Sequence, residues 1–348
     1  MAKIDVLFQA MLDQGGSDLH LEETQFPKIR LHGSLTVLEG FEKLTQAAMT
    51  DYLSEIAGKV AWSDFQKKGD LDFAYAMGAK SRFRANYFRH FFGLGAIFRT
   101  IPTKILTLEQ INCPDVFKTF ADLRSGLVLV TGPTGSGKST TLAAIIDYIN
   151  SHHRYKIVTI EEPVEFVHVN KSSLIIHREV GKDTHSFTSG LQGALKSDAN
   201  VILVGEMRDR ETIELALTAV EMGILVFGTL HTNSASKTID RIIDVFPANK
   251  KNQIRSILAN ALQGVVSQQL LKSADGTRRW AAHEILLYNS ALPGIIRSGE
   301  SNKLESMIQT SRGSGMILMD DRLEELLKEG KISKEAAFDK ASDKARFA

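Results

Sequence analysis

Apolar side chains recur along the first hundred residues with two different periods. Ile4, Val6, Leu7, Met11 and Leu12 fall at helical spacing and predict a short amphipathic helix over 2–12, stopped by Gly15-Gly16. Residues 17–21 and 28–33 alternate apolar with polar, as half-buried strands do. A helical stretch follows over 45–65. Strands are then predicted at 70–75 and 81–89, the second continuing through Gly93 and Gly95 into 96–99. One long helix among mostly antiparallel strands predicts a small α+β domain over 1–99. Residues 100–105 read as a linker, because Pro102 breaks the pattern and no periodicity crosses it.

Beyond the linker the pattern changes. Residues 127–131, 156–161, 201–205 and 224–230 are short, nearly continuous apolar runs separated by segments long enough for parallel crossovers. Such runs fit a parallel sheet covered on both faces. From Gln253 onward the apolar period is helical, so the second domain, 106–348, is predicted as α/β with a largely helical C-terminal part. There is no internal repeat and no low-complexity tract.

Composition narrows the classes. Of 348 residues, 43% are hydrophobic and 24% charged, enough for a substantial core. Basic and acidic side chains nearly cancel, 42 against 41, so no global field favours nucleic acid or an anionic membrane. The single cysteine, Cys113, excludes a disulfide framework and a cysteine-built zinc site within the chain. The N-terminus lacks a signal-peptide layout, and no window approaches the roughly 18 apolar residues of a membrane span. A soluble, cytoplasmic chain is the expectation.

The chemistry concentrates at strand ends. Gly132-Pro133-Thr134-Gly135-Ser136-Gly137-Lys138-Ser139 is a GxxxxGK[ST] loop between a predicted strand and a helix beginning near Lys138. Its glycines let backbone N–H groups turn toward phosphates. Lys138 can reach the β- and γ-phosphates, and the Ser139 hydroxyl can ligate Mg²⁺. Gly132, Thr134, Gly135, Ser136, Gly137, Lys138, Ser139 and Thr140 are therefore the expected ATP-binding residues. Glu206 closes the run Val201-Ile202-Leu203-Val204-Gly205, where a Mg²⁺-holding acid belongs. Glu161-Glu162-Pro163-Val164-Glu165 is a second acidic cluster, in which Glu165 is expected to face the γ-phosphate. His231 ends another strand and is expected in the same crevice. Arg82, Arg84 and Arg89 share one strand, and the even spacing sets Arg82 and Arg84 on one face. Like charges on one face cost stability without an anionic partner, so they are expected to be supplied to a nucleotide, or else to guard an exposed edge.

On these residues the chain resembles the type II/type IV pilus secretion ATPases, and among them the type IV pilus retraction ATPases. The resemblance rests on the phosphate loop, the acidic box, Val204-Gly205-Glu206-Met207-Arg208-Asp209 and Gly228-Thr229-Leu230-His231-Thr232-Asn233. Gly15-Gly16-Ser17-Asp18-Leu19-His20, Arg82-Phe83-Arg84-Ala85-Asn86, the stretch 178–184, the stretch 237–247 and Ser306-Met307-Ile308-Gln309-Thr310 extend it over nearly the whole chain. It implies a PAS-like N-terminal domain, a RecA-like P-loop ATPase domain and a homohexameric ring. The ring would work at the cytoplasmic face of the inner membrane on the pilus platform protein, driving pilus retraction and twitching motility. The resemblance assigns Glu206 to Mg²⁺ and Glu165 to the attacking water, or the two with roles exchanged. It assigns His231 to the histidine box, and the three arginines to ATP as the domains close.

Two departures stand out. Where the family carries Ala-Ile-Arg-Asn-Leu-Ile-Arg-Glu, this chain reads Ala291-Leu292-Pro293-Gly294-Ile295-Ile296-Arg297-Ser298, and Pro293-Gly294 is expected to disturb a helix. His90 stands where glutamine is usual. The first departure leaves open an accessory paralogue of the retraction motor. A pilus assembly or type II secretion ATPase, a nucleic-acid translocase and a non-hydrolysing ATP switch are the other readings. The missing tetracysteine site disfavours assembly, the balanced charge disfavours a translocase, and the complete set of site residues disfavours a switch.

Overall fold

The computed structural model describes residues 2–31, 34–78 and 81–348. The chain separates into two compact units: Met1–Lys104 with Glu162–Val167, and Ile105–Glu161 with His168–Ala348. The segment Glu162–Val167, which holds the second half of the acidic cluster, thus groups with the first unit.

The first unit runs α1 (Asp5–Asp13), β1 (Asp18–Glu22), β2 (Lys28–Leu31), β3 (Ser34–Val37), α2 (Gln46–Lys68), β4 (Asp70–Met77), β5 (Ser81–His90) and β6 (Gly93–Ile101). Its six strands form an antiparallel sheet in the order β3-β2-β1-β6-β5-β4. Alternate residues Phe83, Ala85 and Tyr87 of β5 are buried against Phe8, Phe98 and Phe65, while Arg84 between them is exposed. Helix α2 starts at a Thr45 cap, whose hydroxyl accepts from Ala48 N–H, and breaks its regular geometry at Gly58. Strand β3 was not expected, and β6 continues to Ile101, two residues into the expected linker. His32 and Gly33, expected to end β2, lie outside the described residues.

The second unit runs α3 (Val116–Ala121), β7 (Gly126–Thr131), α4 (Lys138–His152), β8 (Lys156–Glu161), β9 (Leu174–Glu179), α5 (Phe187–Leu195), β10 (Val201–Val204) and α6 (Arg210–Glu221). It continues through β11 (Leu225–Leu230), α7 (Ala235–Asp244), α8 (Ala248–Ala261), β12 (Leu262–Lys272), β13 (Arg279–Leu287), α9 (Leu292–Ser298), α10 (Lys303–Thr310), α11 (Met319–Lys328) and α12 (Lys334–Lys340). Seven strands stand in the order β13-β12-β7-β11-β10-β8-β9. All neighbours are parallel except β12 and β13. Leu127, Leu129, Ile202 and Val226 enter one core, and Val128, Val130, Leu203 and Phe227 the other. Both faces are covered, and the strand ends β7, β8, β10 and β11 share one edge of the sheet.

The C-terminal part is largely helical as expected, with one departure. Helices α9 to α12 are present, but β12 and β13 precede them as an antiparallel pair. Leu262–Lys272 is buried on both faces and mixes apolar residues with Gln263, Ser267, Gln268 and Gln269, so it shows no alternation to separate a strand from a helix. Strand β9 escaped notice because its burial is irregular at the sheet edge. Among the described residues no helix is long and apolar enough to cross a membrane.

Candidate active site

The phosphate loop leaves β7 and enters α4. Gly132, Gly135 and Gly137 have φ of +142°, +78° and +91°, values that L side chains rarely adopt. At Gly135 a Cβ would meet nothing within 4 Å, so that glycine serves backbone conformation alone. Helix α4 begins with no side-chain cap, leaving the N–H groups of its first turn for an anion. Ser136 Oγ is buried and has no hydrogen-bond partner. Lys138 is buried too, its Nζ donating to the carbonyls of Gly132 at 2.8 Å and Pro133 at 3.1 Å. Thr134 is exposed at the loop tip, and Ser139 and Thr140 are half-buried in the first helical turn. An uncapped helix end, an orphaned buried hydroxyl and an inward lysine fit a polyphosphate.

Glu206 follows β10, two strands from β7 with β11 between them. Its Oε1 lies 2.5 Å from Arg208 Nε and 3.2 Å from His231 Nε2, so the acid and the histidine form a pair. Burial pushes the Glu206 carboxyl up, but Arg208 and then His231 outweigh it, holding the group below its ordinary value. The crossing from β10 is fixed by backbone: Gly205 N–H donates to Ile160 O at 2.8 Å and Met207 N–H to Thr229 O at 3.0 Å. Thr229 Oγ1 also donates to Gly205 O. A Cβ on Gly205 would press on the backbone of Ile160 and Glu161, which is why no larger residue precedes the acid. Asp209 then caps α6 through Thr212 N–H.

In the first unit, Arg82 Nη1 donates to Glu165 O at 3.4 Å. Arg84 is exposed on the same face of β5. Arg89 is not on that face. Its position has the parity of Phe83, Ala85 and Tyr87, and its guanidinium lies 5.8 Å from the Phe65 ring centroid. His90 closes the β5–β6 turn, its ring nitrogens meeting Leu94 O and Phe92 N–H at 3.3 and 3.4 Å.

The segment expected to be disturbed is helical. Pro293 falls at the start of α9, where a missing N–H costs nothing, and Asn289 Oδ1 accepts from Ala291 and Leu292 N–H at 3.0 and 2.9 Å. Leu292 and Ile296 are buried, and Arg297 Nη2 donates to Asn260 Oδ1 at 2.6 Å. The proline was read as interior when it is a helix start.

Arg208 and Gln268 were not singled out from sequence. Arg208 lay within a quoted motif, but an exposed charge two residues past an acid carries no signal of its own. Gln268 lay in a stretch read as helix.

The chain matches the family model "Type II/IV secretion system protein" over residues 2–317. It is 48% identical to the type IV pilus retraction ATPase PilT of Pseudomonas aeruginosa over 339 residues, covering 96% of each chain. It is 34% identical to the type IV pilus ATPase PilU of the same organism, covering 98% of this chain and 90% of that one. The crystal structure of the pilus retraction motor PilT with bound ADP superposes with a TM-score of 0.91 at 39% identity, covering 99% and 98% of the two chains. The phosphate loop and the Glu206–His231 pair thus sit in a chain that belongs to the type II/IV secretion system protein family, as a PilT-like ATPase.

Proposed function

We propose that this chain hydrolyses ATP to power type IV pilus retraction, as a homohexamer acting on the inner-membrane pilus platform protein from the cytoplasmic face. The reading is carried by 48% identity to PilT over 96% of a chain whose sequence carries the loop, the acids, the histidine and the arginines. Lys138 exchanges its two carbonyl partners for the β- and γ-phosphates. Ser139 and Glu206 hold Mg²⁺, which neutralises charge on the phosphate oxygens when bound. Glu165 orients the attacking water, and His231 holds Glu206 in place. Arg82, Arg84 and Arg89 come from a neighbouring subunit to stabilise the transferred phosphoryl group. Arg89 leaves its stack on Phe65 to do so.

Identity to PilT exceeds that to PilU, and the helical segment Leu292–Ser298 supports the primary motor over an accessory paralogue. Deleting the gene should leave cells with abundant pili that no longer shorten under direct imaging. Normal shortening would refute the motor role.

Glu206→Ala and Glu165→Ala are each expected to lower turnover by about 10²-fold or more while ADP still binds. Glu206→Ala alone should abolish the strengthening of ADP binding by Mg²⁺. Unchanged turnover in both variants would sink the assignment, and loss of the Mg²⁺ effect in Glu165→Ala would exchange the two roles.

A further inference from the structure

Strand β12 runs parallel to β7, with Ser267 opposite Thr131. Gln268 is therefore the first residue of β12 beyond the end of β7, level with the start of the phosphate loop. Its side chain is 2% exposed, and both ends of its carboxamide are used. Nε2 donates to Ser136 O at 2.8 Å, and Oε1 accepts from Thr141 Oγ1 at 2.8 Å. A carbonyl only accepts, so the Ser136 contact fixes which end of the amide is nitrogen. One step back, the Thr131 and Ser267 hydroxyls meet at 2.8 Å.

The loop is shaped around this side chain. A Cβ on Gly132 would fall 2.2 Å from Gln268 O, and one on Gly137 would fall 2.8 Å from Gln268 Nε2. Two of the loop's glycines thus make room for β12 itself. A trans peptide sets its carbonyl and the following N–H on opposite sides. With Ser136 O held by Gln268, the Gly137 N–H is set on the opposite side of that peptide. The other end of the amide ties this peptide to the first turn of α4 at Thr141.

We propose that Gln268 is a positioning residue for ATP hydrolysis, a buried amide bracket that holds the phosphate loop in its binding shape before nucleotide arrives. The proposal rests on the phosphate loop being the ATP site. Removing the bracket leaves a buried carbonyl without a donor and lets the loop sample other shapes, so the loss falls on nucleotide affinity more than on the chemical step.

Gln268→Leu in the full chain should raise KM for ATP and Kd for ADP about tenfold, with kcat within about threefold of the parent. Thr141→Val breaks only the helix end of the bracket and should raise both about threefold. The double variant should match Gln268→Leu alone, because both act through one amide. Should Gln268→Leu fail to fold, Thr141→Val with unaltered KM and Kd overturns the proposal by itself. A lower melting temperature with unchanged KM and Kd in both single variants would also overturn it, since that is the behaviour of a merely structural amide. A parent chain that binds no ADP would instead overturn the assignment of the loop, which separates the two failures.

Discussion

The two sheets of this protein bury their residues in different ways. In the six-stranded antiparallel sheet, β5 alternates buried Phe83, Ala85 and Tyr87 with Arg82 and Arg84 on a face open enough to carry charge. In the seven-stranded sheet, both faces are covered, and β7, β10 and β11 are buried at every position. The first can therefore place chemistry along the length of a strand. The second can place it only where strands end, at Gly132, Glu206 and His231. A polar side chain inside the second sheet's layer is cut off from water, and Gln268 offsets that with a partner at each end of its amide.

The contrast is sharpened most by the arginines. Arg82→Ala with Arg84→Ala is expected to reduce ATP turnover of the assembled protein by about 10³-fold while leaving the urea midpoint almost unchanged. A matching fall in stability would make the open face a packing surface. Arg89→Ala in the same assay tests whether the residue over Phe65 serves nucleotide or the sheet.

Packing comes next. Phe227→Ala, in the doubly covered sheet, should cost about 3–5 kcal/mol, whereas Leu35→Ala on the exposed strand β3 should cost under about 0.5 kcal/mol. Similar losses in urea melts would remove the distinction between the sheets.

The smallest effect is pH-linked. His283 of β13 is fully buried, packs edge-on to Phe117 at 5.1 Å, and has an Nε2 without a partner. Burial lowers its imidazole from 6.5 to about 3. Between those values the unfolded chain binds a proton that the folded chain does not, so stability falls as pH drops below about 6.5. The slope from this group approaches about 1.4 kcal/mol per pH unit, and His283→Phe should remove it from the difference between melts at pH 7 and pH 5. An unaltered slope would assign the effect elsewhere.

Legibility followed the same division. Strands with one buried face declared themselves by alternation, as β1, β4 and β5 did, and the phosphate loop by its spacing of glycines, lysine and serine. Strands β12 and β13 did not, because burial on both faces erases the period that separates strand from helix. The misreading of β12 also hid Gln268, whose role depends on a strand neighbour that only the sheet order supplies. Pro293 misled for a local reason: a proline reads as a breaker until the helix start is known, and that start depends on Asn289. Arg89 shows the limit of spacing alone, since three arginines on one strand still divide between two faces.

Strand β12 sets a lower bound on how far this chain can be trimmed. A fragment ending after β11 would contain every residue of the phosphate-loop signature, yet β7 would become an edge strand. The Ser136 carbonyl and the Thr141 hydroxyl would lose their common partner. Beyond Gln268 the same strand sends Leu271 into the cluster formed by Trp280, Met319 and Leu323. The smallest portable nucleotide-binding module is thus longer than its motif suggests, and its natural cut point lies past the hairpin rather than before it.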